Sequence, residues 1–273
     1  MGLCIQVTHT LNQNLTGGGT FDACTAVTGD SLNIPAFTPG TRASIIDVWG
    51  GNSASACEFG LRSPNFHDNT RGLRMAYGFN PTLSGADGNP QFLTGEHVLQ
   101  PLYPSDTITA EASGTAADKV GLAFLSYYQD LPGCDMQLRT WPQIEGRIIN
   151  TLALRVSASA GAAGVYGTAL NFTSTDDRLI ANVKYAILGA TSQLPATTVA
   201  IAGPESSNRF IGCPLHWDER QTADYFVRVS KTHNIPSILE FNGSNKAQFQ
   251  IKVADAATTI ATAMTIHLAE LRS

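Results

Sequence analysis

The side chains best equipped for chemistry are Ser63, His67 and Asp68, which supply a nucleophile, a base and an orienting acid close together in the chain. A working triad, however, is assembled across a fold, and its serine sits on a strained strand-to-helix elbow that the residues around Ser63 do not encode. A solvated turn is the expectation there. His216-Trp217-Asp218-Glu219 and Asp176-Asp177 offer carboxylates to a Ca²⁺ ion, but neither has the spacing of a calcium loop. Gly17-Gly18-Gly19 precedes no Gly-Lys-Ser/Thr sequence, so it reads as a flexible arm rather than a phosphate cradle. No catalytic, cofactor-binding or metal-ligating residue is assigned. Neither enzymatic activity nor a cofactor is expected.

Trp49, Trp141 and Trp217 are scattered rather than grouped, as a sugar-binding face would have them, and Trp49 lies on an alternating strand suited to core or interface packing. Cys4, Cys24, Cys57, Cys134 and Cys213 are odd in number and show no zinc spacing. They are expected to be buried free thiols in a chain assembled in a reducing cytoplasm. The start Met1-Gly2-Leu3-Cys4-Ile5-Gln6 has neither a signal-peptide pattern nor the Ser/Thr of a myristoylation site. The sequons at Asn14, Asn171 and Asn242 carry little weight without secretion.

Charge narrows the partners. The net charge is −5, and no Lys or Arg precedes Arg42, so a basic arm for packaged nucleic acid is missing and no direct sequence-specific nucleic-acid binding is expected. Charged residues make up 14% of the chain, against roughly 25% in an average soluble domain. A surface this poor in charge suits a protein whose exterior ends against other subunits.

The elements that must position these residues are strands. Short apolar runs alternate with polar residues and are broken by Gly, Pro, Asn and Asp. The clearest run from Ser31 to Phe37, Ala43 to Trp49, Ala56 to Arg62, Gly72 to Tyr77, Val98 to Tyr103, Thr107 to Ala112 and Val120 to Tyr128. They resume at Ile148 to Val156, Leu170 to Thr173, Ile180 to Leu188, Thr198 to Ala202, Phe210 to Leu215, Tyr225 to Val229, Ile238 to Phe241, Phe249 to Val253 and Met264 to Leu268. Asn242-Gly243 marks a tight turn. Only Leu138 to Arg147 and the stretch around Ala254 to Ala263 hint at helix.

Laid over itself, the chain repeats. Gly29 to Ile34 matches Gly167 to Phe172, Ile45 to Gly50 falls on Lys184 to Gly189, and Cys57 to Pro64 falls near Thr198 to Pro204. Arg71 pairs with Arg209, Asp106 to Ala112 with Gln248 to Ala254, and Leu122 to Ser126 with Met264 to Leu268. The order is kept while the offset drifts from about 138 to about 143 residues. Duplication of one β unit follows, with about eight strands per unit, which fits a jelly roll. The expected division is an N-terminal arm (1–28), a first jelly roll (29–145) and a second (146–273). Within Gly2 to Thr28, Leu3-Cys4-Ile5-Gln6-Val7 stays open between an edge strand, a swapped arm reaching a neighbour and a lipid contact. Phe79 to Gly95 and Ala158 to Gly167 read equally as tower or intersubunit loops and as plain flexible connections.

Two jelly rolls in one short chain resemble the double jelly-roll major capsid proteins of tailless icosahedral viruses. That lineage includes corticoviruses, tectiviruses, adenoviruses and the small membrane-containing phages of Flavobacterium. The compact length is similar to the bacteriophage members. The resemblance implies an all-β fold of two tandem eight-stranded antiparallel jelly rolls and a homotrimer that makes a pseudo-hexagonal capsomer. The implied partners are other copies of itself, neighbouring capsomers, penton or minor capsid proteins, and an internal lipid membrane; the implied location is the virion. Another virion role, as a spike, decoration or receptor-binding sandwich, is the alternative, and a carbohydrate-binding module comes third.

Overall fold

The computed structural model describes residues 2–52, 57–66, 73–77, 91–92, 99–161, 165–172, 177–193, 196–215, 222–254 and 261–272. His67, Asp68, Arg71, Asp176, the run from His216 to Glu219 and most of the loop 79–95 lie outside these described residues.

The first lobe contains β1 (Leu3–Asn12), β2 (Asp22–Ala26), β3 (Ala43–Asn52), β4 (Cys57–Arg62), β5 (Leu73–Tyr77), β6 (Gln91–Phe92), β7 (Gln100–Pro101), β8 (Thr109–Ser113) and β9 (Val120–Gln129). Its hydrogen-bonded order is β5-β4-β8-β2-β1-β9-β3-β6, with β7 also on β3. The β1–β2 junction is only Thr10↔Ala26 and Leu11↔Thr25, so the lobe is a sandwich of β1-β9-β3-β6 against β2-β8-β4-β5. Sequence-distant strands sit side by side in both sheets, which is the jelly-roll winding.

The second lobe repeats it. β10 (Leu138–Arg139) and α1 (Trp141–Glu145) lead into β11 (Ile148–Ser159), β12 (Lys184–Ser192), β13 (Ala196–Ala202), β14 (Ile211–Leu215), α2 (Tyr225–His233), β15 (Ile238–Asn242), β16 (Gln250–Ala254) and β17 (Ala261–Leu271). One sheet runs β10-β15-β12-β17-β11 and the other β14-β13-β16. The shared part of these orders matches the first lobe: β15-β12-β17-β11 corresponds to β7-β3-β9-β1 and β14-β13-β16 to β5-β4-β8, while among the described residues β6 and β10 have no counterpart and β2 gives way to an isolated bridge, Leu170↔Ile251. The segment aligned with it in the repeat makes the bridge Asn33↔Thr107 just before β8. The chain is all-β, two jelly rolls in tandem.

A shared irregularity fixes the internal register. β3 bulges against β9 between Ile45 and Asp47, which pair with Ser126 and Leu125. β12 bulges against β17 between Ile187 and Gly189, which pair with Leu268 and His267. All four equivalent pairs are 142 positions apart. An extra residue in a ladder bends the strand and is a position-specific feature. Ile45 therefore corresponds to Ile187, and the alignment of Ile45 with Lys184 was three residues short.

Several other expectations are corrected. Residues 1–28 are not an arm, because β1 pairs with β9 along its whole length from Leu3↔Gln129 to Asn12↔Val120. Its other edge is also closed: the N–H groups of Ile5, Val7 and His9 donate to Met136 Sδ, Phe210 O and Asp30 Oδ2 at 3.4, 3.1 and 2.7 Å. An edge so occupied cannot pair with another chain. Tyr225 to Val229 is helical, not extended. Tyr225, Phe226 and Val229 are buried at helical spacing, and the helix stops at Asn234 in the left-handed region, φ 52°. Asn242-Gly243 makes no positive-φ turn; Asn242, φ −94°, accepts from the Ser244 N–H at 2.8 Å and starts a 3₁₀ turn. Cys4 and Cys134 are not free thiols but a disulfide, with Cα atoms 5.9 Å apart. β1 and the turn after β9 bring them within bonding reach. Cys24, Cys57 and Cys213 are buried and outside any disulfide. Among the described residues no helix is long and apolar enough to cross a membrane.

Candidate assembly joint between the two lobes

Ser63 is buried and donates to Asp106, while its own Oγ accepts from the Asn65 N–H at 3.0 Å. It orders a turn. Asp177 pairs with Lys246, and Gly17, Gly18 and Gly19 all lie at positive φ. Among the described residues no three His, Cys, Asp or Glu side chains gather as metal ligands would. Burial pushes the thiols of Cys24 and Cys213 up to about 12, so they stay protonated at neutral pH.

The organised surface is the joint between the lobes. In β9 every residue but Gln129 is buried, as is all of β13, so these strands are covered on both faces, as near-continuous apolar runs require. Leu122 and Phe124 of β9 face the first lobe's own core; the other side, with Val7, His9, Asp47, Trp49, Ala123 and Leu125, meets the second lobe. Trp49, fully buried, donates from Nε1 to the Thr197 carbonyl at 2.8 Å. Its ring meets Tyr225 edge-on at 5.9 Å, and the Tyr225 hydroxyl donates to Asp47 at 3.3 Å. Burial, with the Asp47 charge beside it, pushes that phenol well up and keeps it a donor.

Two glycines set the spacing. A Cβ at Gly212 of β14 would come within 2.9 Å of the Val7 side chain and 2.2 Å of the Val199 carbonyl. A Cβ at Gly121 would lie 2.8 Å from His9 Nε2 and 3.1 Å from the Thr197 side chain. Only glycine lets the sheets come this close.

The seam has a polar margin. The Tyr166 hydroxyl donates to Asp30 at 2.9 Å across the lobes, and the Tyr166 and Phe210 rings stack at 6.3 Å. Beside them a cleft of about 400 Å³ is lined by Gln6, Thr8, Asp30, Asn33 and Arg209, among others. The linker is held by Glu240, which accepts from Arg139 and Arg147 at 2.9 Å and pairs with Lys184 at 3.2 Å.

These groups set the acid response. Burial pushes His9 down to about 3, and neither ring nitrogen has a hydrogen-bond partner. Burial pushes Asp30 up to about 6 against the opposing His9 N–H, Tyr166 and Lys252. Burial raises Glu240 too, but hydrogen bonds from Arg147 and Lys184 outweigh it and hold the carboxyl at about 2. Below its unfolded value near 6.5, His9 costs stability as pH falls, by about 1.4 kcal/mol per unit. Asp30 acts oppositely between its folded and unfolded values, near 6 and 3.8. Glu240 loses its contribution as pH falls from 4.5 towards 2. Urea midpoints should therefore stay nearly level from pH 6 to 4.5 and drop steeply below about pH 4. In His9→Phe the midpoint should rise between pH 6 and 4.5, Asp30 then acting alone; a variant curve parallel to wild type would contradict this.

The sequence pointed to Trp49 as a packing residue, and the structure puts it at the joint. His9, Gly121, Thr197, Gly212 and Tyr225 went unnoticed. The one signal for them was the run Val120-Gly121-Leu122-Ala123-Phe124-Leu125, too continuously apolar for a strand with one wet face.

No family model matches the chain, and no curated protein matches it. Solved structures to which it is similar include the STIV MCP, at 8% identity over 99% of this chain and 97% of that one, TM-score 0.19. The T=1 Penaeus vannamei nodavirus structure follows at 10% identity over 99% and 98%, TM-score 0.21. The major capsid protein P2 from Bacteriophage PM2 is similar at 9% identity over 98% of each chain, TM-score 0.21. With values this low, the tandem jelly-roll fold and its joint stand on the strand orders, the shared bulge and the contacts between the lobes.

Proposed function

We propose that this chain is the main building block of an icosahedral virus shell, three copies forming a tile with six lobes in a ring. The two units of the tile run over residues 3–129 and 148–271. The observation that carries this reading is the head-to-tail character of the joint. The β1-β9-β3 sheet of the first lobe meets the β13-β14 sheet of the second, so equivalent units touch through different faces. Such a contact does not saturate itself as a twofold contact does; it repeats until a ring closes or a filament grows. Each chain uses one such joint internally and keeps the two complementary faces outward: β2-β8-β4 of the first lobe and β11-β17 of the second, the adjoining β12 being overlaid at Gly189 by Thr222 and Ala223. Three chains then fill a position with six neighbours from one gene product. The low share of charged residues, 14%, fits surfaces that end against neighbours. Neighbouring tiles, and minor proteins at the fivefold positions, are the partners such a tile needs.

Sedimentation over a range of concentrations tests the reading. Three chains per particle, persisting on dilution to micromolar concentration, is the expected result; a monomer at every concentration would overturn it.

A further inference from the structure

The contact between chains can be read residue by residue from the joint within the chain, an inference that rests on the ring reading above. Inside the chain, Gly121 lies between His9 and Thr197. His9 pairs with Ala123 in the ladder, and Arg155 pairs with Thr265. Ala123 and Thr265 are equivalent by the 142-residue bulge register, so Arg155 of β11 is the counterpart of His9. It is exposed between Leu154 and Val156, both fully buried, and so stands on the outer face.

On the other side, Phe59 of β4 pairs with Ala112, and Val199 of β13 pairs with Val253; all four are buried and face their own cores. β4 and β13 end at Arg62 and Ala202, one residue before Ser63-Pro64 and Gly203-Pro204 begin; with these ends aligned Phe59 matches Val199, and the exposed Glu58 matches Thr198, the neighbour of Thr197. The inner joint sets His9 and Thr197 on either side of Gly121, and the same placement in the outer joint brings Arg155 to the part of β4 that carries Glu58. Thr191, paired with Thr265 as Trp49 is with Ala123, stands at the indole's position; it is already buried within the chain, its hydroxyl 2.8 Å from His267 Nε2, so the outer joint has no counterpart of the indole.

We propose that Arg155 of one copy pairs with Glu58 of the next, so that the tile closes through a polar, charge-matched version of the apolar joint within each chain. The pair also enforces direction. Two β11-β17 faces brought together would oppose arginine to arginine, and two β4-β8 faces glutamate to glutamate, each penalised by like-charge repulsion.

Charge exchange in the full-length protein tests this. Arg155→Glu and Glu58→Arg should each raise the concentration at which the trimer dissociates by about tenfold or more. The double variant should return to within about threefold of wild type. Single variants that assemble as wild type does, or a double variant no better than either single one, would overturn the pairing while leaving the trimer standing. A monomeric wild type would remove the ring reading and the pairing together. If a reversed charge prevents folding, Arg155→Gln and Glu58→Gln read the same contact: each should flatten the salt dependence of dissociation, and an unchanged salt dependence would overturn the pairing.

Discussion

Trp49→Ala is expected to lower the unfolding free energy by about 3–5 kcal/mol, the range for truncating a large, fully buried aromatic side chain. The indole is inaccessible, lies edge-on to Tyr225 and satisfies the Thr197 carbonyl. Alanine empties the centre of the joint and removes the indole's hydrogen bond to that carbonyl. Urea unfolding should show the loss as a lower midpoint. Because the joint is also what couples the lobes, two separated transitions should replace one if the loss uncouples them. A change below about 1 kcal/mol would mean that the joint contributes little to holding the lobes together.

The Cys4–Cys134 disulfide is expected to have the next largest effect. It closes a loop of 130 residues, joining the start of β1 to the turn that leads out of the first lobe. Chain-entropy estimates for loops near 100 residues are about 4.7 kcal/mol, and measured losses on removing a native disulfide are about 2–5 kcal/mol. Cys4→Ser/Cys134→Ser and the reduced wild type should therefore show the same lowered urea midpoint. Identical midpoints for oxidised and reduced wild type would show that the bond does not restrain the chain. A bond of this kind persists in oxidising surroundings.

The repeat was legible because strand order and turn residues survive duplication when side chains do not. Its register was not, because Ile45 and Ile187 are each one apolar residue among many, and only the bulges after them show which positions match. β1 stayed undecided for a related reason. Leu3 to Val7 reads equally as an edge strand, a swapped arm or a lipid contact until its ladder to β9 is seen. In α2, Val227 and Val229 favour strand locally, and the buried face made by Tyr225, Phe226 and Val229 overrides them. The Cys4–Cys134 bond could not be read from five cysteines without pairwise distances. The joint was the least visible of all, since glycines at 121 and 212 announce a close approach only once the opposing sheet is known.

Electron microscopy of the purified protein decides whether the lobes close into a ring. The expected image is a threefold particle with six lobes in a ring, each lobe turning its β9 or β17 sheet to the same rotational side. A twofold particle in which two β17 sheets face each other would contradict it.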